Sequence, residues 1–391
     1  MKHWGLEAAL QTRREQDLYR QRLTVNSPQG AVLQLDGQQV LAFCSNDYLG
    51  LANHPAVIDA FTEGARRYGA GAGASHLVSG HQSPHQDLEV ALAAFTGRES
   101  ALLFSSGFMA NLGTIDALTG DGDRVFQDRL NHASLLDGAR LSGARYRRYQ
   151  HNAPDALGKL LKKPSEGRTL VVTDGVFSMD GDIAPLPELA ALCREHNALL
   201  MVDDAHGLGV LGENGGGCLE HFGLSTADVP LLMGTLGKSL GVMGAFVAGP
   251  AAIIDTLIQS ARSYIYTTAL PPAAACAVTT SLTLAGAGSE LREKLHSNIR
   301  QFREGAVARN LTLLDSQTAI QPLVLGSAER ALSWSEALRA KGILVPAIRP
   351  PTVPEGSSRL RIALSAAHSA AQIEQLLDAL AQVQSGHADR D

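Results

Sequence analysis

Apolar residues come along most of this chain in runs of four or five, separated by longer stretches in which apolar and polar positions alternate with helical spacing. That pattern is expected of short strands buried on both faces and covered by helices. Ala101–Phe104, Thr169–Thr173, Leu199–Val202 and Gly244–Ala248 are such runs, with a β-like Arg124–Gln127 and the apolar Val229–Met233 among them. From about Ser45 to Ala285 they predict an α/β domain with a mostly parallel sheet. Ahead of it, MKHWGLEAALQTRREQDLYRQRL spreads both signs of charge through its apolar positions and predicts an amphipathic helix, without the unbroken apolar centre of a signal peptide. Two β-like runs follow, Ala31–Leu35 and Val40–Phe43, joined by Asp36-Gly37, a pair suited to a tight hairpin. After a helix around 290–309, the strands Ile320–Leu325, Ile343–Ile348 and Arg359–Leu364 alternate with helices near 328–341 and 369–383, and the polar tail Ser385–Asp391 is expected to fray. The expected division is an N-terminal helix and β arm over 1–45, a large three-layer domain over 46–285 and a smaller C-terminal α/β domain over 286–391.

Composition narrows the partners more than the fold. With 391 residues, 45% of them hydrophobic and 18% charged, the chain has the make-up of an ordinary globular protein long enough for more than one lobe. A net charge of −6 supplies no general attraction to nucleic acid, and no run approaches the length of a membrane span. Neither partner is expected. Cys44, Cys193, Cys218 and Cys276 stand far apart, with no C-x-x-C pair and no local His/Cys cluster of the zinc-site kind. The sequence therefore predicts free thiols in a reducing, cytoplasmic setting and no metal.

The chemistry gathers where strands end. GTLGKSLG, Gly234–Gly241, places one lysine among glycines, and three motifs compete for it. A Walker A loop fails because Leu232 stands where its first glycine belongs. Gly237-Lys238-Ser239-Leu240-Gly241 matches the G-x-S-x-G nucleophile elbow, a cheap match in a chain with 39 glycines. The third makes Lys238 a Schiff-base lysine for a carbonyl cofactor. Elsewhere, Ala198–Val202 ends in Asp203, Asp204 and His206, where ligands of open parallel sheets collect. Asp203 reads as functional and Asp204 as a turn cap. Gly207-Leu-Gly209-Val-Leu-Gly212 spells G-x-G-x-x-G, but Glu213–Gly217 breaks the helix that a dinucleotide fingerprint must open. Leu103–Asn111 runs from a strand through Ser105, Ser106, Gly107 and Phe108 into a helix, a ready anion cradle. His132 follows the β-like Arg124–Gln127, and Ser178 follows the strand ending near Asp174.

These pieces suit pyridoxal phosphate. It needs a lysine for its aldehyde, an aspartate to keep its ring nitrogen protonated, a flat partner over the ring and a phosphate cradle. Lys238, Asp203, His132 and Gly107-Phe108 supply them in turn, with Thr235 as a further phosphate contact.

The ordered motifs SNDYLGL (45–51), GAGASHLVSG (71–80), SGF (106–108), NHASLLDG (131–138), DGVFSMDGD (174–182), VDDAHG (202–207) and TLGKSLG (235–241) span nearly the whole chain. Together they resemble the α-oxoamine synthase family of fold-type I pyridoxal phosphate enzymes. The resemblance implies a PLP-dependent C-acyltransferase in which Lys238 carries the cofactor, Asp203 holds its pyridinium, His132 stacks on it, and Ser178 and His206 contact its O3′ side. It also implies phosphate contacts from Thr235, Gly107 and Phe108, with Thr267 or Thr268 reaching across from the second subunit of a homodimer. Asn46 and Arg361 are implied as holders of the amino acid's carboxylate, and Arg20 and Thr352 as contacts to the far end of the acyl chain. Ala347–Gly356 with Arg359-Leu-Arg361 is similar to the form found in family members that use L-alanine and a pimeloyl thioester. The alternatives are a member joining glycine to a short acyl-CoA, and an aminotransferase. Asp174 stands where some members carry glutamate, and no chemistry is assigned to His76.

Overall fold

The computed structural model describes residues 4–388. The chain forms two compact units. One runs through Gly50, returns for Met179–Asp182 and resumes at Glu293; the other comprises Leu51–Ser178 and Ile183–Arg292.

The second unit is built on seven strands: β3 (Ser100–Phe104), β4 (Arg124–Asp128), β5 (Arg145–Tyr149), β6 (Thr169–Asp174), β7 (Leu199–Asp203), β8 (Leu231–Thr235) and β9 (Ala245–Gly249). Their order is β3-β9-β8-β7-β6-β4-β5, and β9 alone runs against its neighbours. The apolar runs explain the sheet, because both parities are buried. Leu102, Val125, Leu170, Val172, Met201, Leu231 and Val247 pack on one face against α4 (Gly107–Leu118), α5 (Ala133–Leu141) and α9 (Ala251–Ser260). Leu103, Phe126, Val171, Leu200, Leu232 and Phe246, of the other parity, are buried as well. Each such side chain contributes about 1.5–3 kcal/mol on burial.

In the first unit, β1 (Val32–Leu35) and β2 (Gln38–Ala42) form the expected hairpin. Its two central residues, Asp36 (φ 51°) and Gly37 (φ 78°), lie in the left-handed region that such a two-residue turn requires. β10 (Ile320–Gly326), β13 (Ser358–Ala363) and β12 (Ala347–Ile348) make an antiparallel sheet, accompanied by α12 (Ser289–Ala308), which begins in the other unit, α13 (Ala328–Ala340) and α14 (Ala370–Ala388).

Four expectations need correction. Ile343–Ile348 is not one strand: β11 (Ile343–Leu344) pairs parallel with β2, β12 pairs with β13, and Pro346, which has no N–H to give a ladder, separates them. The strand β5 was not anticipated, because RYRRY shows no apolar alternation; it is held by its backbone to β4 at the sheet edge. The N-terminal helix α1 covers only Leu6–Glu15, with Asp17 in the left-handed region just past its end, and none of its residues is buried. The segment Ser385–Ala388, expected to fray, continues α14, and 389–391 lie outside the described residues. Among the described residues no helix is long and apolar enough to cross a membrane.

Candidate active site

A cavity of about 190 Å³ opens in the second unit beyond the carboxyl ends of the parallel strands. Gly107, Phe108, His132, Ser178, Asp203, His206, Thr235 and Lys238, all singled out in the sequence, line it together with Asn111, Ser134, Asp174, Ala205 and Met233. Asp174, Asp203 and Thr235 close their strands, and Ala205, His206, Ser178 and Lys238 follow within a few residues, which is where the parallel topology collects polar groups.

Asp203, the last residue of β7, is buried, and both its oxygens are held. Asn111 donates to Oδ2 at 2.6 Å, and the Ala205 amide donates to Oδ1 at 3.1 Å. Asn111 lies one turn inside α4 and spends its second amide proton on Ser134 Oγ at 2.9 Å. With that lone pair engaged, the Ser134 hydroxyl turns its own proton to His132 Nδ1, 2.7 Å away, and the Ser134 amide also donates there at 3.3 Å. Nδ1 is therefore an acceptor, and the neutral ring carries its proton on Nε2. Burial lowers the His132 pKa, reinforcing the neutral form; Asp203 opposes that effect and Lys238 adds to it. The His132 amide donates to Asp174 Oδ2 at 2.9 Å. Asp174 is the β6 register partner of Asp203; burial first, then the Asp203 charge, raises its carboxyl above the usual range.

Lys238 follows β8 through a tight turn and lies half-buried with Nζ 2.8 Å from His206 Nε2. Thr235, at the end of β8, donates to the Gly244 carbonyl at 3.1 Å. At the start of α4 the Ser106 hydroxyl accepts from the Met109 amide at 3.3 Å, while the first-turn amides of Gly107 and Phe108 have no carbonyl to reach within the helix. Ser105 and Ser106 are not among the residues lining the cavity: Ser105 donates to the Thr268 carbonyl at 3.2 Å, and Ser106 accepts at the start of its own helix. The nucleophile-elbow alternative fails because Ser239 is buried and gives its proton to the Leu208 carbonyl. The G-x-G-x-x-G run opens no helix, as its spacing implied, and forms successive turns.

Asp204 is structural. Its Oδ2 accepts from the Cys218 amide at 2.7 Å, and a Cβ at Gly207 or Gly217 would come within 2.1 or 1.9 Å of its carboxylate oxygens, so glycine is required at both positions. Burial pushes its pKa up to about 7. A raised acid keeps its proton when folded but releases it near pH 4 when unfolded, so this group lowers stability progressively as pH rises from about 4 to about 7. Asp204→Asn, which keeps the acceptor and removes the titration, is expected to flatten the stability slope in that window by up to about 1.4 kcal/mol per pH unit, read from urea unfolding at several pH values.

Thr267 and Thr268 do not line the cavity of their own chain. The remaining four site residues lie in the first unit as two pairs. Arg361, buried on β13, donates to Asn46 Oδ1 at 3.2 Å, and Tyr48 donates to the same oxygen at 3.1 Å. Arg20 donates to Thr352 Oγ1 at 3.1 Å in a cavity of about 220 Å³ shared with Leu18, Gln21 and Arg349. Asn111 and Ser134, which the sequence does not mark for a role, join the site. The spacing of Asn111, four residues after Gly107 and so on the same helix face, was the available signal.

An amine, a buried carboxylate, a neutral imidazole and a helix N-terminus thus share one cavity, four different chemistries that together match what pyridoxal phosphate requires. The fold and the donor set define a fold-type I pyridoxal phosphate enzyme. The class I and II aminotransferase family matches residues 38–380. The chain is 62% identical over 379 residues to the 8-amino-7-oxononanoate synthase of Pseudomonas putida, covering 97% of each, and 60% identical to that of Pseudomonas aeruginosa, covering 97% of this chain and 94% of the relative. A serine palmitoyltransferase from S. paucimobilis with bound PLP and myriocin superposes with a TM-score of 0.93 at 33% identity, covering 98% of this chain and 97% of that one. The crystal structure of 8-amino-7-oxononanoate synthase from Francisella tularensis gives 0.78 at 33% identity, covering 89% and 99%. The chain belongs to the class I and II aminotransferase family and, within it, to the α-oxoamine synthases typified by 8-amino-7-oxononanoate synthase.

Proposed function

We propose that this protein condenses L-alanine with a pimeloyl thioester, releasing CO₂ and the thiol carrier and forming 8-amino-7-oxononanoate, a step of biotin biosynthesis. The observation that carries this reading is the meeting of Lys238, Asp203, His132 and His206 around one cavity in a chain 62% identical to a curated synthase of that name.

When bound, pyridoxal phosphate supplies an aldehyde that condenses with amines and a protonated ring that takes up the electron pair left on the adjoining carbon. The first-turn amides of Gly107 and Phe108, with the positive end of α4 and Thr235, would hold its phosphate. Asp203 would keep the ring nitrogen protonated, and Asn111 and the Ala205 amide fix the carboxylate for that role. His132 offers a flat neutral face with a proton on Nε2. Ser178 and His206, which line the same cavity, would hold the cofactor's O3′ side. Lys238 Nζ, at the cavity wall, would take the Cα proton of alanine. A bond then forms between alanine Cα and the thioester carbonyl as the C–S bond breaks and the thiol leaves; the former alanine carboxylate departs as CO₂, and Cα regains a proton.

Asn46 and Arg361 are assigned to the carboxylate of alanine, supported by a buried guanidinium already bonded to the amide. Arg20 and Thr352 are assigned to the distal carboxylate of the acyl chain, supported by their shared cavity. We further assign a cytoplasmic homodimer in which Thr267 or Thr268 reaches the partner's phosphate site; the four free cysteines accord with a reducing compartment.

The test is turnover of pimeloyl-CoA by the cofactor-loaded protein with L-alanine, glycine or L-serine, following CO₂ and product mass. The proposal requires 8-amino-7-oxononanoate, with alanine preferred by at least about tenfold in kcat/KM, the discrimination a single methyl group supports. Equal or better use of glycine, or an alanine-dependent spectral change without CO₂, would remove the substrate assignment.

A further inference from the structure

We propose that His76, His81 and His85 form a site for a divalent transition metal of the zinc type, in the same unit as the Lys238 cavity but sharing no residue with it. One ring nitrogen from each of the three histidines can be chosen so that all lie within 4.8 Å of one another. His76 Nδ1 and His81 Nδ1 are 2.9 Å apart, joined by a single shared proton. In a tetrahedral zinc site with bonds of about 2.0–2.1 Å, ligand nitrogens stand roughly 3.3 Å apart. Admitting an ion therefore asks these two rings to separate by a few tenths of an ångström.

The atoms behind the rings are already arranged as a metal site arranges them. His85 Nε2 donates to the Leu270 carbonyl at 2.6 Å, and His81 Nε2 lies 3.4 Å from Gln86 Oε1 and 4.0 Å from Glu89 Oε2. Such outer partners hold the proton on the far nitrogen and leave the near one as a lone pair. Glu89 stays in this supporting place because its Oε1 accepts from the Leu103 amide at 2.9 Å. The His76 ring is fixed by stacking on Tyr264, centroids 4.9 Å apart and planes 14° from parallel.

The chain path gives the ion a mechanical role. His76 opens a π-helical turn, His76–Gly80, a geometry often kept for function; His81 follows it, and His85 sits in the first turn of α3 (Ser83–Phe95). An ion on the three rings would clip the turn to the helix, with water in the fourth position. His85 Nδ1 now accepts from the Gln82 amide at 2.9 Å and would exchange that bond for the metal. The sequence predicted no metal because it offers no paired Cys/His motif; four residues and then three separate these histidines, and the π-helical turn is what brings the first onto the other two.

The experiment adds Co²⁺ to chelator-treated, cofactor-loaded protein, follows its visible absorption, and then displaces it with Zn²⁺. The proposal expects one Co²⁺ per chain with the strong absorption of a four-coordinate ion, displacement by an equivalent of Zn²⁺, and a higher unfolding temperature with either metal. His76→Gln and His81→Gln should each weaken binding by more than the ~10–100-fold that loss of an outer-shell partner costs. His196→Gln, away from the cluster, should bind as the parent does. His85→Gln is a poorer probe because both its ring nitrogens also support the fold. Absent or sub-stoichiometric binding, a weak six-coordinate spectrum, binding that survives the His76/His81 double replacement, or a metal-induced change in the cofactor's own absorption would each overturn the assignment.

Discussion

Lys238→Ala is expected to lower kcat by at least about a thousandfold while leaving the unfolding midpoint close to that of the parent chain. The side chain is half-buried, with Nζ 2.8 Å from His206 Nε2 at the wall of an open cavity, so its loss removes chemistry and little packing. Lys238→Arg should fail equally, because guanidinium keeps its proton at any working pH and cannot condense with an aldehyde. The pair separates two roles for the position. A residue needed only for positive charge would be rescued by arginine, whereas one needed for a nucleophilic amine would not. Steady-state CO₂ release with urea unfolding of both variants decides it, and substantial turnover by either would contradict the assignment.

Asp203→Asn carries the second large effect, a loss of about 100–1,000-fold in kcat, the scale seen when a group placed to stabilise developing charge is removed. Asp203 Oδ2 accepts from Asn111 and Oδ1 from the Ala205 amide. An asparagine can satisfy only one of those donors with its oxygen and presents its own N–H₂ to the other. It also cannot hold a proton on the ring nitrogen. Asp203→Glu, which retains the charge on a longer arm, should recover part of the rate. Kinetic assays of the three proteins at saturating cofactor test this; if Asp203→Asn retained parental kcat, the electron-sink role given to this carboxylate would be wrong.

How much of this was legible before the fold was known follows from where each residue sits. Lys238, Asp203 and His132 each come just after an apolar or β-like run, so a sequence reader meets a strand and then an abrupt polar group, and the parallel topology puts those points on one edge. Asn111 and Ser134 lie in helices, amid ordinary-looking residues, and only the packing of α4 against α5 aims them at Asp203 and His132. The β5 strand escaped because its five residues are three arginines and two tyrosines; edge pairing with β4 and a charged outer rim make it a strand without apolar alternation. Ile343–Ile348 misled in the opposite sense, its apolar run hiding the break at Pro346. Asp204 was legible as structural, but the Gly207 and Gly217 backbones that enclose it were visible only as a decoy motif and a glycine-rich turn.

The measurement closest to the centre of this account is borohydride reduction of the cofactor-loaded protein followed by peptide mapping. A covalent pyridoxyl group on Lys238 alone is the predicted result. Modification of any other lysine, or none after full cofactor loading, would contradict it.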